Sequence, residues 1–223
     1  MVAMSGLKHL AIGITGAALS LLPARANLLI NGSFETPSGG YLYVPGDSTY
    51  LTGWKTQLNG VEIVTATDIG VGYPYPSTIQ DGTQMIDLAP YTYTGGGISQ
   101  TFATTPGMSY NVNFFGSSVA SFGKEGTGSV LVTVDSSVQL FDLYTPSSDF
   151  DWKPLGLSFV ASGTTATLTF VSLSNPYTQF AAIDNVSVTA VPEPLGASVV
   201  AGLGLVGLAG VRRLRRGTNP NVS

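Results

Sequence analysis

From Asn27 to Ala190 no stretch of ten residues carries apolar side chains at helical spacing; short runs alternate apolar with polar residues, and Gly, Pro, Asn and Asp interrupt them. A period of two sends successive side chains to opposite faces of an extended strand, so each run needs one buried side and one wet side. Tyr110, Val112 and Phe114 alternate in this way, as do Val130, Val132 and Val134, then Leu155, Leu157 and Phe159, then Leu168 and Phe170. The run "FAAIDNVSVTAV" from Phe180 alternates less cleanly. Asn59-Gly60 separates two extended runs, and that pair tolerates positive φ at both centres of a tight hairpin turn. The run "ISQTFATTPGMSYNVNFFGSS" is expected to give another strand pair around Pro106-Gly107. The spacing predicts about nine or ten short strands and an all-β fold, a jelly-roll β-sandwich whose facing sheets bury one side of each strand. Two long loops, "TPSGGYLYVPGDSTY" and "DIGVGYPYPSTIQDG", interrupt the early strands, and such loops in a compact domain tend to be functional or disordered.

The two ends read differently. Lys8 and His9 precede an apolar run from Leu10 to Leu22, and Ala24-Arg25-Ala26 supplies the small residues that flank signal-peptide cleavage. Residues 1–26 are therefore expected to be a signal peptide and Asn27 the first mature residue. At the other end an apolar stretch, Leu195 to Val211, precedes Arg212, Arg213, Arg215 and Arg216. At about 1.5 Å per residue that stretch reaches roughly 25 Å, just short of a hydrocarbon core of about 30 Å. Four arginines behind it would hold that end in the cytoplasm, with residues 217–223 as a cytoplasmic tail and the β-domain outside. Gly202, Gly204 and Gly207 fit a dinucleotide-binding glycine pattern, but no acidic residue follows them, so the ribose partner is missing.

Charge and residue types exclude several functions for the 27–190 segment. Lys55, Lys124 and Lys153 stand against twelve acidic residues, which leaves no basic footprint for nucleic acid. The only histidine is His9 and there is no cysteine, so the mature domain lacks Ser-His-Asp and Cys-His nucleophilic machinery and the usual zinc ligands. It also lacks disulfides, and a packed core must hold it together.

The segments "NLLINGSFE", "LTGWKTQLNGVEIV", "GTQMIDLAP", "GGISQTFATTPGMSYNVNFFG" and "AAIDNVSV", in that order, resemble the bacterial choice-of-anchor C family and the related plant cell-wall proteins known as domain of unknown function 642. Both are similar to galactose-binding-like jelly rolls found among carbohydrate-binding modules. Pro192-Glu193-Pro194, the apolar stretch and the arginines resemble the PEP-CTERM sorting signal, which spans 191–216 here with a transmembrane segment at 195–211. That resemblance implies processing by an exosortase, a membrane enzyme. The jelly-roll resemblance implies a structural calcium ion tying the first strand to the last, with Glu35 and Asp184 at the matching positions. Calcium takes several oxygen ligands, and two carboxylates with backbone carbonyls would meet that need. The alternative is that both are hydrogen-bonded carboxylates at strand ends.

Tyrosines crowd the loops: Tyr41, Tyr43 and Tyr50, then Tyr73 and Tyr75, then Tyr91 and Tyr93. A ring with an apolar face and a polar edge suits stacking on a sugar, so six of these, Tyr41, Tyr43, Tyr73, Tyr75, Tyr91 and Tyr93, are candidate ligand contacts. The alternative is packing over the rim of the sandwich. Trp54 is expected in the core, and Trp152 is left open between charged neighbours. Asp81 and Asp87, and Asp149 and Asp151, are expected to be solvated surface charge rather than a hydrolytic pair. Asn31 and Asn185 begin glycosylation patterns that a bacterial host would leave unused. The expected function is non-catalytic binding of exopolysaccharide or another envelope glycan at the cell surface or in the matrix. Its rival is a structural or adhesion protein that acts through protein contacts.

Overall fold

The computed structural model describes residues 26–66, 78–90, 95–120, 124–143 and 150–192. Eleven strands form among them: β1 (Leu42–Val44), β2 (Lys55–Leu58), β3 (Val61–Thr65), β4 (Gln84–Asp87), β5 (Gly96–Ala103), β6 (Ser109–Ser117), β7 (Gly128–Val134), β8 (Ser137–Leu143), β9 (Lys153–Val160), β10 (Thr165–Ser172) and β11 (Ala182–Ala190). They build two antiparallel sheets, one in the order β1-β3-β4-β11-β6-β9 and one in the order β2-β5-β10-β7-β8. The expected β-sandwich is therefore the observed architecture.

The alternating positions read from the sequence form the core between the sheets. Tyr110, Val112 and Phe114 of β6, Val130, Val132 and Val134 of β7, and Leu168 and Phe170 of β10 are all buried. Leu155 and Leu157 of β9 pack against the same cluster, with Phe159 inside it. Trp54 is in the core as expected. Its ring lies 5.4 Å from Phe34 and 6.4 Å from Phe170, and its Nε1 donates to the Asn31 carbonyl at 2.9 Å. Each such aromatic contact adds about 0.5–1.5 kcal/mol beyond the area it buries.

Two turns differ from the expectation. Asn59-Gly60 does not close a hairpin, because β2 and β3 belong to different sheets. Only Gly60 of that pair has positive φ (83°), preceded by Leu58 at 54°, so the mirror-image turn that needs both centres positive does not form. The chain instead turns a corner between sheets, and a Cβ on Gly60 would lie 2.0 Å from the Val44 carbonyl oxygen. Pro106-Gly107 makes a second corner, between β5 and β6. A two-residue hairpin does join β7 to β8, at Asp135 and Ser136, with Asp135 at φ 53°. Asp135 also accepts from the Ser162 amide and hydroxyl, and those hydrogen bonds hold its carboxyl below the usual carboxylate range. The first long loop contains β1, which pairs with β3 at its tip.

The imperfect alternation of the last strand has a physical cause. The β11–β6 register shifts between Asp184 and Ser187, and Asn185 sits at φ 49° in the bulge. The extra residue moves the inward phase from Ile183 to Val186 and Val188, all three buried. The start of the described chain lies beside this irregular part of β11. Leu28 donates to the Val188 carbonyl, Val186 to the Gly32 carbonyl, and the Asn27 side chain bonds both Val186 and Val188. Gln100 reaches the same segment through reciprocal bonds to the Ile30 amide (2.7 Å) and carbonyl (2.9 Å).

A smaller cluster covers the outer face of the six-stranded sheet. Met85, Val119, Phe150 and Ala182 are buried there, with Val64, Ile79, Trp152 and Phe180 against them. Trp152 stacks on Phe150 at 5.6 Å and donates to the Thr78 carbonyl, which settles its role as packing. Among the described residues no helix is long and apolar enough to cross a membrane. The expected signal peptide (apart from Ala26), the segment 195–211 and the arginines lie outside the described residues.

Candidate functional site

Glu35 and Asp184 come together around the turn that leads into β4. Glu35 follows Phe34, whose φ of 59° is a left-handed conformation that aromatic residues rarely adopt. Its Oε1 accepts from the amides of Thr83 (2.9 Å) and Gln84 (3.0 Å), and its Oε2 from the Thr83 hydroxyl (2.6 Å). Gly82, at φ 73°, leaves room for this carboxylate, since a Cβ there would sit 2.5 Å from the Glu35 Cδ. Asp184 is fully buried in the bulge, where Oδ1 accepts from the Asn185 amide and Oδ2 from the Asp81 amide. Burial pushes its carboxyl up to about 7; the two amides oppose the rise, and the charges of Asp81 and Glu35 add to it. Asp81 accepts a hydrogen bond from the Ser33 hydroxyl at 2.5 Å.

Both carboxylates are thus hydrogen-bonded, but neither caps a strand: Glu35 lies in the loop before β1 and Asp184 inside β11 at its bulge. They also form an all-oxygen set in which the charges of Asp81 and Glu35 disfavour that of Asp184, and a hard divalent ion suits that chemistry. Among the described residues no group of three or more His, Cys, Asp or Glu side chains is arranged to hold a metal ion. An ion here would need backbone oxygens and would share Glu35 with Thr83 and Gln84.

Asp87 corrects an expectation. It is not solvated: Asp87 is 2% exposed, on the outer face of β4 opposite Glu62 of β3. Its Oδ1 accepts from the amides of Ala89 (2.8 Å) and Ala181 (3.1 Å), while Oδ2 is buried with no hydrogen-bond partner. Burial pushes its carboxyl up to about 6, opposed by the Lys124 charge and reinforced by Glu62. Lys124 is itself buried, with Nζ 3.9 Å from the centre of the Phe180 ring. Asp81 and Asp151 are exposed as expected, Asp151 bound to Lys153 at 2.5 Å; Asp149 lies outside the described residues.

The tyrosines separate into two groups. Tyr41 and Tyr43 flank the start of β1 and commit their hydroxyls within the chain, Tyr41 to Glu62 Oε1 and Tyr43 to the Asn59 carbonyl, each at 2.7 Å. Tyr41 is 51% exposed, so part of its ring still reaches solvent. Tyr73, Tyr75, Tyr91 and Tyr93 lie outside the described residues, as do Glu193, Pro194, Arg212, Arg213, Arg215 and Arg216. Pro192 is described and exposed, two residues past β11.

A shallow groove marks a different surface of the six-stranded sheet. A groove of about 430 Å³ lies over β6 and β9, lined by Asn111, Asn113, Pro154, Gly156 and Ser158 together with the backbone between them. The strand register builds it as rungs. Thr189, Asn111 and Ser158 form one, and Ser187, Asn113 and Gly156 the next. Asp184, Phe115 and Pro154 form the third, at the end of the groove near the candidate metal residues. Ser158 donates to Asn111 Oδ1 at 2.8 Å. Gly156 keeps the floor low, because a Cβ would lie 2.5 Å from the Val112 carbonyl oxygen and 3.1 Å from Asn113 Oδ1. The first two rungs carry amides and hydroxyls without charge. The sequence hid this face because its residues alternate with the apolar core positions that define the strands.

The fold recurs in solved structures. TmCBM61, in complex with β-1,4-galactotriose, matches 74% of this chain and 99% of its own at 15% identity and a TM-score of 0.51. A Stig cyclase from Fischerella sp. TAU matches 77% of this chain and 100% of its own at 19% identity and a TM-score of 0.52. The CBM22-1 xylan-binding domain of Xyn10C from Paenibacillus barcinonensis matches 77% and 98% at 14% identity and a TM-score of 0.43. No curated protein matches the sequence. Residues 27–189, which contain both sheets, match the family described as "Protein of unknown function (DUF642)", and the chain belongs to that family.

Proposed function

We propose that the chain is an exported, non-catalytic protein whose β-sandwich binds a glycan of the cell envelope or an exopolysaccharide. The fold alone does not choose between binding and catalysis, since both a galactotriose-bound module and a cyclase share it. The observation that carries the proposal is the uncharged groove over β6 and β9, with the half-buried Phe115 opposite its lining residue Pro154 in the strand register. Asn111 and Asn113 each offer a carbonyl acceptor and an amide donor at fixed spacing, which suits the paired hydroxyls of a sugar ring. Export by residues 1–26 and exosortase sorting through 191–216 belong to the same proposal, with the membrane segment holding the domain outside until it is processed. So does a structural calcium ion at Glu35 and Asp184, with Asp184 on the rung that ends the groove.

Binding of the chain to an array of neutral and acidic polysaccharides tests the central claim. The Asn111→Ala/Asn113→Ala variant is expected to lose at least tenfold in affinity, while Tyr43→Ala binds like the parent. A chain that binds no glycan, with or without calcium, overturns the proposal and leaves the rival role of an adhesion protein.

A further inference from the structure

Among the described residues the two sheets end in four edge strands, and three are protected against pairing with another chain. β1 has three residues; β2 has four and starts at Lys55, paired with Asp47; β9 starts with Lys153-Pro154. β8 is different. It runs seven residues, Ser137–Leu143, with neither Lys, Arg, Pro nor Gly, and among the described residues it ends its sheet. Two of its three outward side chains are apolar and exposed, Val138 at 65% and Leu140 at 51%, and the third is Asp142. Leu140 lies opposite Leu131 of β7, which lies opposite Val171 of β10, so the aliphatic surface runs inward from the edge.

We infer that β8 is a self-association edge, at which two copies of the chain pair antiparallel about a two-fold axis through Gln139. The hairpin fixes which groups are available. Val134 and Ser137 close the two-residue turn as a hydrogen-bonded pair, so Ser137, Gln139 and Phe141 direct their backbone groups at β7. The N–H and C=O of Val138 and Leu140 then point away from the sheet. A two-fold at Gln139 sets Val138 against Leu140 of the second copy, and the reverse, which forms two hydrogen-bonded pairs with apolar side chains on one face. Charge permits this register. Asp142 is the only charged residue of β8, and its two copies would stand about 20 Å apart at roughly 3.4 Å per residue. A second copy is favoured over another partner because this single register satisfies the apolar pairs, the backbone phase and the charge spacing together, as an isologous interface must.

The absence of cysteine allows a direct test. Residues facing across a non-hydrogen-bonded antiparallel pair have Cα atoms about 4.5 Å apart, within disulfide range. The full chain carrying Gln139→Cys, in detergent micelles under mild oxidation, is expected to form a covalent dimer. Thr167→Cys, exposed on β10 of the same sheet, stays at least tenfold less cross-linked. Adding Val138→Lys and Leu140→Lys to Gln139→Cys reduces cross-linking to the Thr167→Cys level without lowering the melting temperature. Threonine at both positions, which keeps strand propensity, has the same effect and covers the case in which the lysines unfold the strand. Equal cross-linking of Gln139→Cys and Thr167→Cys, dimers indifferent to both double replacements, or capture of the thiol in cells by a different protein each overturns the inference.

Discussion

Replacing Asp87 with Asn removes a pH dependence that the buried carboxyl imposes on stability. In the fold this group is raised from 3.8 to about 6 by burial, so the folded chain holds its proton where the unfolded chain has released it. The stabilisation is fully present below pH 3.8 and is lost as pH rises through about 6. A shift of about two units at roughly 1.4 kcal/mol each makes the loss about 3 kcal/mol. The variant keeps an oxygen for the Ala89 and Ala181 amides and puts an amide nitrogen where Oδ2 has no hydrogen-bond partner. The cost of burying that nitrogen, about 1–3 kcal/mol, is the same at every pH and cancels when slopes are compared. Urea unfolding of parent and Asp87→Asn variant at pH 4, 5, 6 and 7 measures the difference. Between pH 4 and pH 7 the parent should lose about 2–2.5 kcal/mol of stability relative to the variant, the remainder having gone below pH 4. Parallel pH profiles would refute the claim that this carboxyl is desolvated.

Further outcomes follow from other sites. Calcium should raise the melting temperature at pH 7.5, a chelator should reverse the rise, and Asp184→Asn should abolish the response while leaving the chain folded. Gly82→Ala forces a side chain into φ 73° and against the Glu35 carboxylate, so chemical unfolding should show a loss of about 1–2 kcal/mol. Trp54→Ala empties the space between Phe34 and Phe170 and should cost about 3–5 kcal/mol in the same assay.

The sandwich is legible in the sequence because its core obeys the simplest pattern available. Tyr110-Val112-Phe114 and Val130-Val132-Val134 alternate strictly, and each occupies the buried face that a period of two predicts. What that pattern does not carry is longer-range. Asn59-Gly60 and Pro106-Gly107 do turn the chain, but whether a turn folds a strand onto its neighbour or carries it to the facing sheet depends on partners distant in sequence. Val61 pairs with Val44, and Ser109 with Val160, and neither partner is visible from the turn itself. Asp87 escapes the pattern for a related reason. One acidic residue beside apolar Ile86 and Leu88 looks like the wet side of a strand, yet the outer face of β4 is covered by a second apolar cluster.

The same logic accounts for the candidate site. Loop tyrosines stand out in a sequence because aromatic residues between glycines have no pattern to explain them, but Tyr41 and Tyr43 spend their hydroxyls on Glu62 and Asn59. Asn111, Asn113 and Ser158 attract no notice, because a polar residue at alternate strand positions is what a solvent-facing side requires. They become a surface only when β11, β6 and β9 align in register, which places Thr189, Asn111 and Ser158 across one rung and Ser187, Asn113 and Gly156 across the next. A groove made from the wet side of a sheet is therefore written in the sequence as the complement of its core. The bulge at Asp184 to Ser187 sets how β11 contributes to that face, and it also holds the buried carboxylate beside Asp81 and Glu35. Altering the bulge, for instance by Asn185→Val at φ 49°, should therefore disturb the groove and the acidic group together, whereas Asn113→Ala should disturb the groove alone.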